Sequence, residues 1–184
     1  MNFRAPNFRA LRKHLRAGGL IAYPTESCYG IGCDPRNRDA VKNILRVKKR
    51  PQAKGVILIA SNFKQLRLYV NPLTTAQLQK VHSTWPGPHT WLVPKSDDCP
   101  IWLTGKHEKV AVRVTAHKPA ATLCRRLGMA LVSTSANISG GKAVRSAREC
   151  QRQFGSQLIV VSGMIGKRRK PSTIQDIVSG AMLR

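Results

Sequence analysis

LIAYPTESCYGIGCDPRNRDAVKNIL, residues 20–45, carries the reading that sets the fold class. Leu20 to Tyr23 is a continuous apolar run of strand length, closed by Pro24, which cannot donate to a sheet ladder. The polar, glycine-containing stretch PTESCYGIGCDP is expected to be a loop. Beyond it Val41, Ile44 and Leu45 recur at helical spacing, and Asn37 is placed to cap the first turn. Buried strand, polar loop and amphipathic helix together make the repeating unit of an α/β sheet.

The same alternation extends outward in both directions. Upstream, Phe8, Leu11 and Leu15 form the apolar face of a basic helix that stops at Gly18-Gly19. Downstream, strands are expected at Val56–Ala60, Thr90–Val93, Val110–Val114, Ala130–Val132, Leu158–Val161 and Thr173–Val178. Helices are expected around Phe63–Leu66, Leu73–Val81, Ala120–Leu127 and Ser146–Phe154. No repeat or low-complexity tract interrupts the pattern, and 184 residues suit one domain covering residues 1–184. The expected fold class is α/β, a sheet covered by helices.

Composition narrows the function classes. Thirty-two Lys and Arg against eight Asp and Glu give a formal charge of +24, a field that attracts nucleotides, RNA and other polyanions. The longest apolar runs are strand length, so no membrane span is expected. The N-terminal stretch lacks an apolar run followed by a small-residue cleavage site, so a cytoplasmic protein without a secretory signal is expected. Cys28, Cys33, Cys99, Cys124 and Cys150 are scattered without a C-x-x-C pair and read as free thiols. The five histidines have no ligand spacing, and with so few carboxylates no metal site is expected; any magnesium would be held by substrate phosphates and water. Phosphate-loop, dinucleotide, zinc-protease and nucleophile-elbow signatures are all missing.

Four polar segments sit at strand ends or within strands, where open α/β sheets gather ligands. Pro24-Thr25-Glu26-Ser27 is either a turn whose hydroxyls satisfy local backbone or part of a site. In Lys48-Lys49-Arg50-Pro51-Gln52-Ala53-Lys54, the cations either complement a helix C-terminus or clamp phosphates about a rigid Pro51. Arg113, centred in VAVRV, either points outward or enters a pocket to meet a carboxylate or phosphate. Ser133-Thr134-Ser135-Ala136-Asn137 is either a helix-capping or Asx turn or a cradle suited to a nucleotide.

Four strings together resemble the YrdC-type threonylcarbamoyl-AMP synthase family. They are YPTESCYGIG (23–32), K-x-R-P (48–51), WPGPHTWLV with AVRV (85–93 and 111–114) and STSANISG (133–140). Their order and spacing cover the chain from about residue 18 to its end, and its length is similar to the short, single-domain branch. The resemblance implies a twisted mixed β-sheet with flanking helices and a basic concave cleft. It implies formation of threonylcarbamoyl-AMP and pyrophosphate from L-threonine, bicarbonate and ATP, for threonylcarbamoyladenosine beside the anticodon of tRNA. Substrate nucleophiles do that chemistry, which agrees with the missing catalytic triad.

Carried over by motif, Lys48, Arg50 and Thr25 are the catalytic candidates. Lys48, Arg50, Lys54, Ser135 and Asn137 would bind ATP. Thr25, Arg113 and Thr134 would bind threonine, and Ser172 and Thr173, in PSTI, would close the far side of the pocket. The implied partners are tRNA and the proteins of the threonylcarbamoyl-transfer machinery. Ser27-Cys28 stands where Thr-Val is common in the family, and His89 and Trp91 also depart from it. The chain ends at Arg184, where longer relatives continue. The alternative reading is a basic RNA-binding protein of the same fold, for example in ribosomal RNA maturation, without synthase activity. Its support is the charge, the Lys167-Arg168-Arg169-Lys170 run and the basic first helix.

Overall fold

The computed structural model describes residues 7–184; residues 1–6, the start of the stretch read above for a signal segment, lie outside the described residues. Its strands are β1 (Ile21–Pro24), β2 (Tyr29–Gly32), β3 (Ile57–Ala60), β4 (His89–Pro94), β5 (Lys109–Val114), β6 (Leu131–Ser135), β7 (Ile159–Val160) and β8 (Thr173–Asp176). They form one sheet in the order β7-β1-β2-β6-β3-β5-β4-β8. The pairs β1–β7, β3–β5 and β4–β8 are parallel and the other neighbours antiparallel, so the sheet is mixed, as the resemblance implied. The flanking helices are α1 (Phe8–Arg16), α2 (Arg38–Val47), α3 (Thr75–Thr84), α4 (Ile101–Thr104), α5 (Lys118–Leu127) and α6 (Ala147–Phe154).

The central strands are buried on both faces, which is why they read as continuous apolar runs. On one face Ile21, Tyr23, Ile59 and Leu131 pack against Leu11 and Leu15 of α1 and Ala120, Leu123 and Leu127 of α5. On the other, Ala22, Leu58, Val112 and Val132 share a core with Ala40, Val41, Ile44 and Leu45 of α2. Asn37 caps α2 as expected, its Oδ1 accepting the Ala40 N–H at 2.9 Å, a bond whose loss costs about 1 kcal/mol.

Three expectations need correction. PTESCYGIGCDP is not all loop, because Tyr29–Gly32 is β2, antiparallel to β1. Gly30 and Gly32 share one strand face; a Cβ on Gly32 would lie 2.5 Å from the Val132 carbonyl oxygen and 2.8 Å from the Tyr23 ring. Tyr29 and Ile31 fill the opposite, buried face, so β2 is a real strand whose glycines answer crowding. Next, Ser133 to Ser135 belong to β6 rather than to the loop after it. Finally, α4 was not foreseen, and the last two strands are shorter than expected, Ile159–Val160 and Thr173–Asp176.

The register carries the α1/α5 face beyond those helices. Ile57 and Ile59 of β3 stand opposite Ala111 and Arg113 of β5, and Ala111 opposite Leu92 of β4, which faces Asp176 of β8. All of these positions but Ile59, which stays in the core, line a cavity.

Candidate functional site

The cavity has a volume of about 600 Å³, within the range that takes a nucleotide-sized ligand. Strand alternation decides its floor. Lys109, Ala111 and Arg113 of β5 line it, while Val110, Val112 and Val114 turn into the core behind. That resolves the direction of Arg113, which enters the pocket.

Arg113 is only 8% exposed. Its Nη2 lies 3.3 Å from Glu26 Oε2, and its Nε is buried without a hydrogen-bond partner. Buried polar groups in folded proteins are nearly always hydrogen-bonded, so a cavity-lining guanidinium with an unpartnered donor is suited to an anion. Glu26 itself is braced by the Thr115 hydroxyl, which donates to Oε1 at 2.6 Å.

A second cationic group comes from Arg50, Lys54 and Arg184, all on the wall. Arg50 Nη2 donates to the Gly55 carbonyl at 3.1 Å, leaving its Nε buried and open. Gly55 has φ +58°, and a Cβ there would meet the Thr104 carbonyl oxygen at 3.0 Å, so this approach needs glycine. Arg184 donates through Nε and Nη2 to Ser172 O at 3.0 Å and Ser172 Oγ at 3.2 Å. Its backbone pairs with Ile174, which pins the chain end beside β8. Burial lowers the pKa of Arg50 and of Arg184, and Arg113 and Arg50 lower that of Arg184 further, because three guanidinium groups converge on one space.

Lys48 goes elsewhere. Its buried ammonium donates to the Ser135 carbonyl, to Asn137 O at 2.6 Å and to Asn137 Oδ1 at 3.3 Å. The Ser139 N–H returns a bond to Lys48 O at 2.9 Å. Asn137 Nδ2 donates to the Ile138 and Gly141 carbonyls at 2.8 and 2.9 Å, so its amide is also used within the loop. Burial and then the neighbouring Arg50 lower the Lys48 pKa to about 8, against a smaller opposing effect of Cys28.

The structure thus brings Thr25, Arg50, Lys54, Arg113, Thr134, Ser135 and Ser172 to one cavity. Lys48 and Asn137 do not line it, and Thr173 alternates to the other side of β8 from Ser172 and Ile174. The Thr25 hydroxyl donates to Cys28 O at 2.8 Å, so the turn and the site are the same feature. Glu26, Thr115 and the Lys109–Asp176 ion pair were given no role from sequence. Glu26 had one available signal, as one of eight acids in a +24 chain, set between two hydroxyl residues of a motif. Among the described residues no three His, Cys, Asp or Glu side chains gather as a metal site.

Known proteins share this sequence pattern and fold. A Sua5/YciO/YrdC family model, described as "Telomere recombination", matches residues 13–184. A threonylcarbamoyl-AMP synthase of Methylobacillus flagellatus is 56% identical over 96% of this chain and 98% of its own length. Another from Thiobacillus denitrificans is 53% identical over 95% and 93%. The crystal structure of P. abyssi Sua5 complexed with L-threonine superposes with a TM-score of 0.88 at 31% identity, covering 96% of this chain and 53% of that one. E. coli YciO superposes with a TM-score of 0.80 at 26% identity, covering 97% and 90%. With its fold and nearly its whole length shared, the chain belongs to the Sua5/YciO/YrdC family.

Proposed function

We propose that this chain is a threonylcarbamoyl-AMP synthase, and that the cavity over β5 is its active site. The observation that carries the reading is Arg113, buried on the cavity floor with an open Nε, beside a separate cluster of Arg50, Lys54 and Arg184. Support comes from the names of its relatives and from the threonine complex of P. abyssi Sua5.

The threonine amine attacks bicarbonate, giving the carbamate and water. A carbamate oxygen then attacks the α-phosphorus of ATP, the Pα–O–Pβ bond breaks, and pyrophosphate leaves. Neither step needs a protein nucleophile, so the chain acts by orientation and charge. Arg113 takes the threonine carboxylate, with Thr25 and Thr134 beside the amino acid. Arg50 and Lys54 face the phosphates with Ser135, and Ser172, bound by Arg184, closes the far side. Lys48 and Asn137 act through Ser135, by fixing the loop that presents it, and Thr173 holds β8 on β4.

We further propose that residues 1–184 act as one domain in the cytoplasm, in keeping with a single sheet formed from residues 21–176. No helix among the described residues is long and apolar enough to cross a membrane. The +24 charge supports an affinity for tRNA and acidic partner proteins that falls steeply with added salt.

The test is pyrophosphate release from ATP by the purified protein, with threonine and bicarbonate omitted in turn. Release that requires both supports the synthase. A folded protein without threonine-dependent release refutes it and leaves the RNA-binding reading.

A further inference from the structure

Glu26 stands behind the cavity floor rather than on its wall, and its two oxygens differ. Oε1 accepts the Thr115 hydroxyl at 2.6 Å, while Oε2 is buried, makes no hydrogen bond and faces Arg113 Nη2 at 3.3 Å. Thr115 is itself fixed, its N–H donating to Ala60 O at 3.1 Å and its hydroxyl oxygen accepting the His117 N–H at 3.2 Å. The Glu26 carbonyl accepts the Arg168 N–H at 3.1 Å. The carboxylate is therefore held by Thr115, and the backbone that carries it by Arg168. It engages one edge of Arg113 and leaves Nε free.

This anchoring divides the cavity by charge. Arg113 is paired with Glu26 and Lys109 with Asp176, whereas Arg50, Lys54 and Arg184 make no ion pair among the described residues. An uncompensated cluster suits a polyphosphate. A guanidinium whose charge is already countered, but whose directional donors remain open, suits a single planar carboxylate.

We propose that Glu26 is the positioning residue that makes this end of the cavity selective for an amino-acid carboxylate over phosphate, by orienting Arg113 and countering its charge. The proposal rests on Arg113 being the threonine carboxylate site. Its test is Glu26→Gln in the pyrophosphate-release assay, with inorganic phosphate titrated as inhibitor. The expected result is a threonine KM raised roughly tenfold, an ATP KM within about twofold of wild type, and phosphate newly competitive with threonine. A purely structural role would lower stability without changing the ratio of threonine to phosphate affinity.

Thr115→Val removes the brace while leaving the ion pair, and is expected to move the same ratio in the same direction by less; it carries the test if Glu26→Gln does not fold. An unchanged ratio in the folded variant overturns the proposal. Arg113→Lys separates the two layers. If it leaves threonine KM unchanged, the carboxylate assignment itself is wrong; if it raises KM while the ratio in Glu26→Gln stays fixed, only the role of Glu26 is lost.

Discussion

Two polar regions of this molecule are equally rich in donors and acceptors, yet their accounts close differently. Around Lys48 and the Ser135–Asn137 loop the bonds are complete: three acceptors meet one ammonium, and the asparagine amide is used within its own turn. Around Arg113 and Arg50, which line a cavity, the buried Nε donors have no hydrogen-bond partner. Completed networks hold shape, whereas incomplete ones wait for a ligand. The strongest challenge to this contrast is Arg113→Met. The expected loss in kcat/KM for threonine is on the order of 10²–10³-fold, the effect of removing one partner of a buried charged contact. Residual activity within tenfold of wild type would show that the open donor is not where threonine binds.

Lys48 and Arg50 provide the next test, since they are two residues apart in one motif but lie on opposite sides of the contrast. Lys48→Met leaves the Asn137 carbonyl without its donor and takes one donor each from the Ser135 carbonyl and Asn137 Oδ1, which keep the Asn137 N–H and the Ser135 hydroxyl; it is expected to cost about 2–3 kcal/mol of unfolding free energy in urea titration. Arg50→Met removes one clear hydrogen bond, to Gly55, and is expected to cost about 1 kcal/mol while raising the KM for ATP severalfold or more. If the two variants exchanged these signatures, the division into scaffold and ligand face would be wrong.

Solution pH acts on the same pair without mutation. The folded pKa of Lys48, about 8, lies below its ordinary value of 10.5. Between those values the unfolded chain holds more protons, so the contribution of Lys48 to stability rises with pH over that window. Activity should move the opposite way, falling above about pH 8, because a neutral amine has only two hydrogens for three acceptors. The opposed slopes, read by thermal melts and by kcat, should both disappear in Lys48→Met. Parallel slopes in the wild type would mean that the ammonium does not hold the loop.

Much of this was legible in the sequence. Strands buried on both faces announced themselves as apolar runs, Asn37 marked its helix, and the four polar segments were the ones that converge. What stayed hidden depends on parity and register. Gly30 and Gly32 read as loop because the groups that crowd them, Thr25 and the Thr134 carbonyl for Gly30 and the Val132 carbonyl and Tyr23 for Gly32, become neighbours only in the sheet. Ser172 and Thr173 are equal as letters, and only the pleat sends one to the cavity and the other away. Glu26 gained meaning only once the fold set it against Arg113, more than eighty positions along the chain. Lys48 and Arg50 could not be told apart because a turn after α2 separates their directions.

That turn yields the smallest effect and explains the contrast at its root. Lys49 has φ +49°, the left-handed conformation usually given to glycine at a helix end. Its N–H donates to Arg46 O at 3.0 Å, and the Arg50 N–H reaches back to Leu45 O at 2.9 Å, so the chain reverses there. Lys48 is left pointing inward under the serine loop and Arg50 at the cavity. A side chain in this conformation costs about 1 kcal/mol relative to glycine, partly offset by the greater freedom of glycine in the unfolded chain and by loss of a cation near the helix C-terminus. Lys49→Gly is therefore expected to raise stability by about 0.5 kcal/mol with both substrate KM values unchanged, whereas Lys49→Val, β-branched in the same turn, should lower stability by more than that. A Lys49→Gly protein that was destabilised, or whose ATP KM shifted, would mean that the lysine side chain, and not the turn alone, sets the two directions.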